Sequence, residues 1–262
     1  MNMNQIVGTH DLALIVLDTL RYDVAAEELA AGRTPNLAAL LPAGWEERHS
    51  PGTFTYAAHA AFFAGFLPTP ARPGHHPRRL ALGFDGSMTI AAGTCVLDGA
   101  TIVEGLAARG YHTLCVGGVG FFNQQNPLGR ALPALFAEAH WDKTLGVTEP
   151  RSFEYQIDTV AAALGRLPKS RLAFTFINVS ALHQPNHHYL PGATGDTRAT
   201  HAAALRYVDA HLPRLIATLR RDRPVFAIAC SDHGTLYGED GYVGHRVAHP
   251  IISTVPYGEA IL

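Results

Sequence analysis

The sequence predicts an α/β protein with a single doubly wound, mostly parallel sheet flanked by helices, in one domain spanning residues 1–262. Three observations predict it. Apolar-rich runs of strand length recur at Leu12–Leu17, Leu172–Val179 and Val225–Cys230, as expected of strands buried on both faces of a parallel sheet. Segments of helical character alternate with them. Each of the three runs is followed by polar, metal-competent groups: Asp18, His183 with His187, and Asp232-His233. Parallel strands bring their C-terminal ends to one edge, where open α/β sheets bind ligands.

Composition narrows the function classes. The formal net charge is −2, which points away from a nucleic-acid or acidic-membrane partner. With only two lysines, Lys143 and Lys169, anion steering falls to arginine. No apolar run reaches membrane-spanning length, and the N-terminal residues show no basic stretch followed by an apolar one. The three cysteines have no metal-type spacing, and Cys115 and Cys230 sit in apolar runs as expected of buried thiols. These features lead us to expect a soluble, cytoplasmic protein. The fifteen histidines are more than a chain of this size needs for its surface.

Taken in order, the first strand ends at Asp18, which either caps the next helix or serves as a ligand. Thr34-Pro35-Asn36 opens a short helix, with Thr34 as cap and Pro35 at the first helical position. After the loop Ser50–Thr55, the alanine-rich segment from Tyr56 stops at Gly65, placing Thr55 at or near a helix N-terminus. There Thr55 either caps the helix or takes part in chemistry. Residues 69–98 include a run rich in Pro, Gly, Arg and His and read as an extended surface loop or lid. Ile102–Arg109 is helical, Gly110 ends it, and Tyr111–Val116 is a strand. Gly117-Gly118-Val119-Gly120 lacks phosphate-loop spacing. Ser152–Leu167 is a helix before the Leu172 strand. Thr200–Leu219 is an amphipathic helix expected to kink or restart at Pro213. Beyond Ser231-Asp232-His233-Gly234, a glycine-rich loop, 237–244, leads into His245-Arg246.

Asp and His with a threonine oxygen form a borderline-to-hard ligand set suited to Zn²⁺ or Mn²⁺. A metal beside Thr55 would activate a hydroxyl that is otherwise a poor nucleophile at neutral pH.

Three blocks resemble the alkaline phosphatase/sulfatase superfamily, and in particular a group of small sulfatase-like bacterial hydrolases. They are Val16-Leu17-Asp18-Thr19-Leu20-Arg21-Tyr22-Asp23, the stretch Thr53 to Pro68, and Ser231-Asp232-His233-Gly234 with Gly238-Glu239 and Gly244-His245 after it. The resemblance implies an alkaline-phosphatase-like fold. It implies that Asp18, Asp232 and His233 bind one metal ion and that Thr55, touching that ion, is the nucleophile. His183, His187 and His245 fall where two-metal members hold a second ion, although His183 stands where the family commonly has Asp. These three histidines otherwise bind substrate around a single ion. His59 and Arg246 are candidate substrate contacts. Sulfatases convert a Cys or Ser in a Cys/Ser-x-Pro-x-Arg motif to formylglycine. Here Thr55-Tyr56-Ala57-Ala58-His59 lacks the Pro and Arg, and threonine cannot give that aldehyde.

The resulting expectation is a metal-dependent hydrolase of phosphate-type esters, with sulfate or phosphonate esters as variants. It would use one or two divalent ions and act on a small-molecule anionic ester. The alternatives are a phosphotransferase or mutase on the same scaffold, or a non-catalytic metal-binding assembly protein.

Overall fold

The computed structural model describes residues 2–65, 80–82, 95–97 and 100–262. Its strands are β1 (Asp11–Leu17), β2 (Glu46–His49), β3 (Leu80–Leu82), β4 (Cys95–Leu97), β5 (His112–Val116), β6 (Glu138–His140), β7 (Ala173–Val179), β8 (Val225–Cys230), β9 (Leu236–Tyr237), β10 (Val243–Gly244) and β11 (Thr254–Ile261). The α-helices are α1 (Met3–Ile6), α2 (Tyr22–Ala30), α3 (Pro35–Leu40), α4 (Thr55–Ala64), α5 (Ile102–Ala108), α6 (Pro127–Ala131), α7 (Ser152–Gly165), α8 (Arg198–Leu219) and α9 (Pro250–Ser253). Seven strands form one sheet in the order β2-β11-β8-β1-β7-β5-β6. From β8 to β6 every pairing is parallel, and β11 pairs antiparallel with both β8 and β2.

Register decides what the sheet can do. Leu17 lies opposite Val179, and Val16 lies opposite Cys230. The residues just beyond, Asp18, Ser180 and Ser231-Asp232-His233, therefore emerge side by side on one edge. Alternation explains why the strands read as apolar runs: successive side chains must satisfy opposite faces. Ala13, Ile15 and Leu17 pack with the helices α2, α3, α7 and α8, whereas Leu12 and Val16 face α4, α5 and a group of phenylalanines. Helices thus cover both faces, as expected of a doubly wound sheet.

Some details differ from the sequence reading. Of the expected loop at 69–98, residues 80–82 and 95–97 form the parallel pair β3–β4, and the remainder lies outside the described residues, residues 98 and 99 included. Thr34 occupies the cap position of α3 but makes no cap bond; the Asp209 carboxylate accepts from Leu37 N at 2.7 Å and Asn36 N at 3.3 Å instead. Nor does α8 restart at Pro213. Proline removes the N–H that would bond the Asp209 carbonyl four residues back. Asn36 Nδ2 donates to that carbonyl at 3.0 Å, so the helix runs on without an unmet acceptor. Cys115 and Cys230 are free and buried, as expected.

Candidate active site

Asp18, Asp232 and His233 converge at the strand-end edge. They are wholly buried, and one ligand atom of each lies within 4.8 Å of the others. Asp18 does not cap α2, whose cap position is Arg21. Its Oδ2 accepts from Asn178 Nδ2 at 2.8 Å, while its Oδ1 has no hydrogen-bond partner. Asp232 Oδ1 accepts from the backbone N–H groups of Thr19 at 3.1 Å and His233 at 3.0 Å, leaving Oδ2 without one. His233 Nδ1 lies 2.9 Å from the Gly234 carbonyl, so its N–H donates there and the Nε2 lone pair turns toward the carboxylates and the Thr55 hydroxyl. That Nε2 is 3.4 Å from Asp232 Oδ2 and 3.9 Å from Asp18 Oδ1.

Two carboxylates this close, out of water, resist ionising together. Burial, followed by the charge of Asp232, pushes Asp18 up to about 6; burial pushes Asp232 up to about 7. Burial likewise holds His233 neutral, down to about 4. Two unmet carboxylate oxygens and an imidazole lone pair that only a hydroxyl approaches among the described residues face each other, a donor set that a divalent cation satisfies. The residues present fit such an ion.

Thr55 is the first residue of α4, which follows the extended Phe54. The cap position itself, Phe54, makes no side-chain cap bond. Thr55 Oγ1 lies 3.3 Å from His233 Nε2 and 3.4 Å from Asp18 Oδ2, so the nucleophile candidate adjoins the triad. The loop before it is pinned: Ser50 Oγ donates toward the Asp232 carbonyl, and Gly52 passes so near Ala58 N that a side chain would be blocked.

Beyond Thr55 opens a cleft of about 380 Å³. Thr55, His183, His245 and Arg246 line it on the polar side; Val119, Phe121, Leu128 and Val147 line it on the apolar side. The His245 ring lies 4.6 Å from that of His233 and 5.3 Å from that of His183. Burial, then the nearby imidazoles, lower His245 to about 3. His183 Nδ1–H donates to the Gln184 carbonyl at 2.5 Å. Arg246 N donates to Thr53 O at 2.8 Å, and its guanidinium lies over the Phe54 ring. Among the described residues no carboxylate pairs with Arg246. The hairpin carrying this rim is tied to the start of α2 through buried Arg21, which ion-pairs with Asp23 and Glu239.

Two expected site residues lie elsewhere. His59 is fully buried and does not line the cleft, so a direct substrate contact is ruled out by its position. Its Nδ1–H donates to Thr55 O at 2.7 Å, and the rings of Phe62, Phe63, Phe122 and Phe176 surround it. Burial drives it down to about 3, so it packs as a neutral ring behind the triad. His187 turns toward Asp196, with Nδ1 3.2 Å from Oδ1, and is 40% exposed. Among the described residues it joins no cluster of metal ligands, and the geometry does not bring it to His183 and His245 as a second-ion ligand.

Sequence reasoning missed the supports. Thr19 is wholly buried with φ +66, a conformation that costs a β-branched residue, and this aims its N–H at Asp232. Asn178 holds Asp18 and in turn accepts from Val119 N at 3.1 Å; Gln156 Nε2 donates to its carbonyl at 2.6 Å. A lone amide in the otherwise apolar stretch Phe176-Ile177-Asn178-Val179 was the available signal. Gly117-Gly118 has a structural reason: a side chain at Gly118 would collide with the Asn178 carbonyl.

The fold agrees with known proteins. The sulfatase family model matches residues 10–251. The chain is similar to the C-terminal periplasmic domain of phosphoethanolamine transferase EptC from Campylobacter jejuni, at 14% identity and TM-score 0.62, covering 97% of this chain and 80% of that one. It is also similar to the corresponding EptC domain from Escherichia coli in complex with Zn, at 12% identity and TM-score 0.62, covering 96% and 72%. A protein of the alkaline phosphatase superfamily from Vibrio parahaemolyticus matches at 19% identity and TM-score 0.59, covering 95% and 60%. No curated protein matches. Among the described residues no helix is long and apolar enough to cross a membrane. The doubly wound sheet is shared with these structures, and the family match covers nearly the whole chain: the protein belongs to the sulfatase family.

Proposed function

We propose that the protein hydrolyses phosphate-type esters of small molecules, with Thr55 as nucleophile. One observation carries this reading: Thr55 Oγ1 lies 3.3 Å from His233 Nε2 and 3.4 Å from Asp18 Oδ2 while lining the cleft. Asp18, Asp232 and His233 would hold a divalent ion, Zn²⁺ or Mn²⁺ by their chemistry. When bound, that ion supplies positive charge beside the Thr55 oxygen and the transferred group. Thr55 Oγ1 forms a bond to phosphorus as the bond to the leaving oxygen breaks, and the leaving oxygen departs as an alcohol with a proton. Water then attacks the phospho-threonine, releasing phosphate and restoring the hydroxyl. Arg246, unpaired by any carboxylate among the described residues, and the imidazoles of His183 and His245 are disposed to bind the non-bridging oxygens. Phosphate is favoured over sulfate as the natural group because a secondary alcohol such as threonine cannot be oxidised to formylglycine.

Thr55→Ala tests the reading. Turnover of phosphomonoesters, phosphodiesters and phosphonate esters, assayed with Zn²⁺ or Mn²⁺, is expected to fall by more than about a thousandfold. Bound metal, measured by elemental analysis, is expected to stay near the wild-type level. Retention of most activity would exclude Thr55 as nucleophile.

A second reading is transfer of the group to an alcohol acceptor. It is supported by the similar structure from Campylobacter jejuni, which is named as a phosphoethanolamine transferase. Chasing trapped phospho-threonine with water or with added alcohols separates the two, since only a transferase gives new ester in proportion to the acceptor.

A further inference from the structure

The cleft over Thr55 is one of two adjoining lobes. A second cavity, of about 190 Å³, is lined by Gly118, Trp141, Lys143 and Thr148 and shares Val119, Gly120 and Val147 with the first. The shared ridge is held down from below. Trp141 Nε1 donates to Gly118 O at 3.1 Å, and Val119 N donates to Asn178 Oδ1 at 3.1 Å. The glycine-rich run is therefore the saddle between the lobes, built close to the strand ends because Gly118 has no side chain. Each lobe has one cation without a carboxylate partner among the described residues: Arg246 in the first and Lys143 in the second. The chain's other lysine, Lys169, is neutralised by Asp222 at 2.9 Å. Phe121, Leu128 and Val147 give the first lobe an apolar wall, and Val147 continues it into the second.

From this juxtaposition we propose that the substrate is an ester with two anionic ends. The reacting group sits at Thr55 and Arg246, an apolar alcohol portion crosses the Val119–Val147 saddle, and a distal carboxylate or phosphate meets Lys143. Lys143 is then a specificity-determining residue. The inference rests on the proposed phosphoester chemistry and adds the class of leaving group to it. A charged pair at an exposed site is worth little in water, so the preference is expected to be modest and salt-sensitive.

The test uses the metal-loaded protein and two matched series, ω-carboxyalkyl phosphonates and alkyl phosphonates of equal length, titrated at low ionic strength by calorimetry. The carboxylated series is expected to bind about three- to fivefold more tightly at one preferred chain length, a ratio that falls to about one in Lys143→Met. Lys143→Glu is expected to reverse the preference, toward ω-aminoalkyl phosphonates. The matching phosphate esters should give the same ratios in kcat/KM. Equal binding of both wild-type series, or a ratio unchanged in Lys143→Met, overturns the role of Lys143 and leaves the phosphoester reading intact. If no phosphonate binds and no phosphate ester turns over, the phosphoester reading fails, and this inference fails with it.

Discussion

The floor of the cleft and its rim use the same residue types but are held in different ways. On the floor, Asp18, Asp232 and His233 sit on the ends of neighbouring parallel strands, where register sets their spacing and every remaining polar atom is occupied by a backbone or amide group. On the rim, His183, His245 and Arg246 ride on loops, tied by single contacts such as Arg246 N to Thr53 O. The floor is therefore preorganised at a cost: two carboxyl oxygens are buried without hydrogen-bond partners, close to the His233 imidazole. The rim carries strain of a different kind: His245 Nδ1 is buried without a hydrogen-bond partner and Arg246 holds φ +72, but the rim buries no carboxylate against another. The difference implies that floor residues, with their paired buried carboxyls, trade more stability for function than rim residues do.

The largest effect should come from the floor. Asp18→Asn and Asp232→Asn each remove a buried charge while keeping shape. Divalent-ion affinity is expected to drop by more than about a hundredfold, beyond the usual cost of losing an outer support. At pH 8 the metal-free variants should melt higher than metal-free wild type, by about 2–4 °C for each kcal/mol of burial penalty relieved. Metal titration and thermal unfolding on the same samples check both. A lower melting temperature in the metal-free state would break the proposed trade-off.

Asn178→Ala should come next. It removes the donor that orients Asp18 and leaves Val119 N without its acceptor, so metal affinity is expected to fall by about ten- to a hundredfold. Competition with a chelator measures this. An unchanged affinity would mean that the strand end alone positions Asp18.

A smaller effect is expected from pH. Asp18 and Asp232 hold protons in the folded chain up to about 6 and 7, whereas the unfolded chain releases them near 3.8. In the metal-free protein their contribution to stability is complete below about pH 4 and is lost as pH rises through 6–7. The buried neutral imidazoles of His59 and His201 have the opposite sign: both are lowered to about 3, so their contribution is complete above 6.5 and lost as pH falls below it. Metal displaces the carboxyl protons. Its affinity is therefore expected to climb up to about tenfold per pH unit for each proton displaced, then level off above pH 7. Calorimetric titrations across pH 5–8 show whether it does. A flat profile would mean that the carboxylates are already ionised in the metal-free chain.

The same contrast governs what could be read from the sequence. β1, β7 and β8 were legible because burial on both faces leaves apolar-rich runs, and Asp18 and Asp232-His233 were legible because they follow such runs directly. β2, Glu-Glu-Arg-His, is largely exposed and carries no apolar signal; β11 contains Pro256 and Gly258, the latter required where Leu41 packs against the strand. The antiparallel edge was therefore invisible. Thr19 was invisible for another reason, since nothing in a threonine announces positive φ. Asp209 could not be foreseen capping α3 across more than 170 residues of sequence, and without it Thr34 was the natural choice.

His187 tests the weakest part of the rim. It shares the four-residue spacing with His183 that suggested a common ion, but a 3₁₀ turn at His187–Tyr189 sends its ring to Asp196. That carboxylate is already held by the backbone N–H groups of Asn186 and His187 at 2.7 and 2.8 Å, so the imidazole adds an exposed contact to a formed turn. His187→Ala is expected to change kcat/KM by less than about twofold and to leave metal stoichiometry unchanged, as for a surface substitution. His183→Ala and His245→Ala, which open the cleft wall beside Thr55, are expected to cost about tenfold or more on the same substrate. Comparable losses in all three variants, with one equivalent of metal missing from each, would restore His187 to a second metal site and would require its loop to close over the cleft when an ion binds.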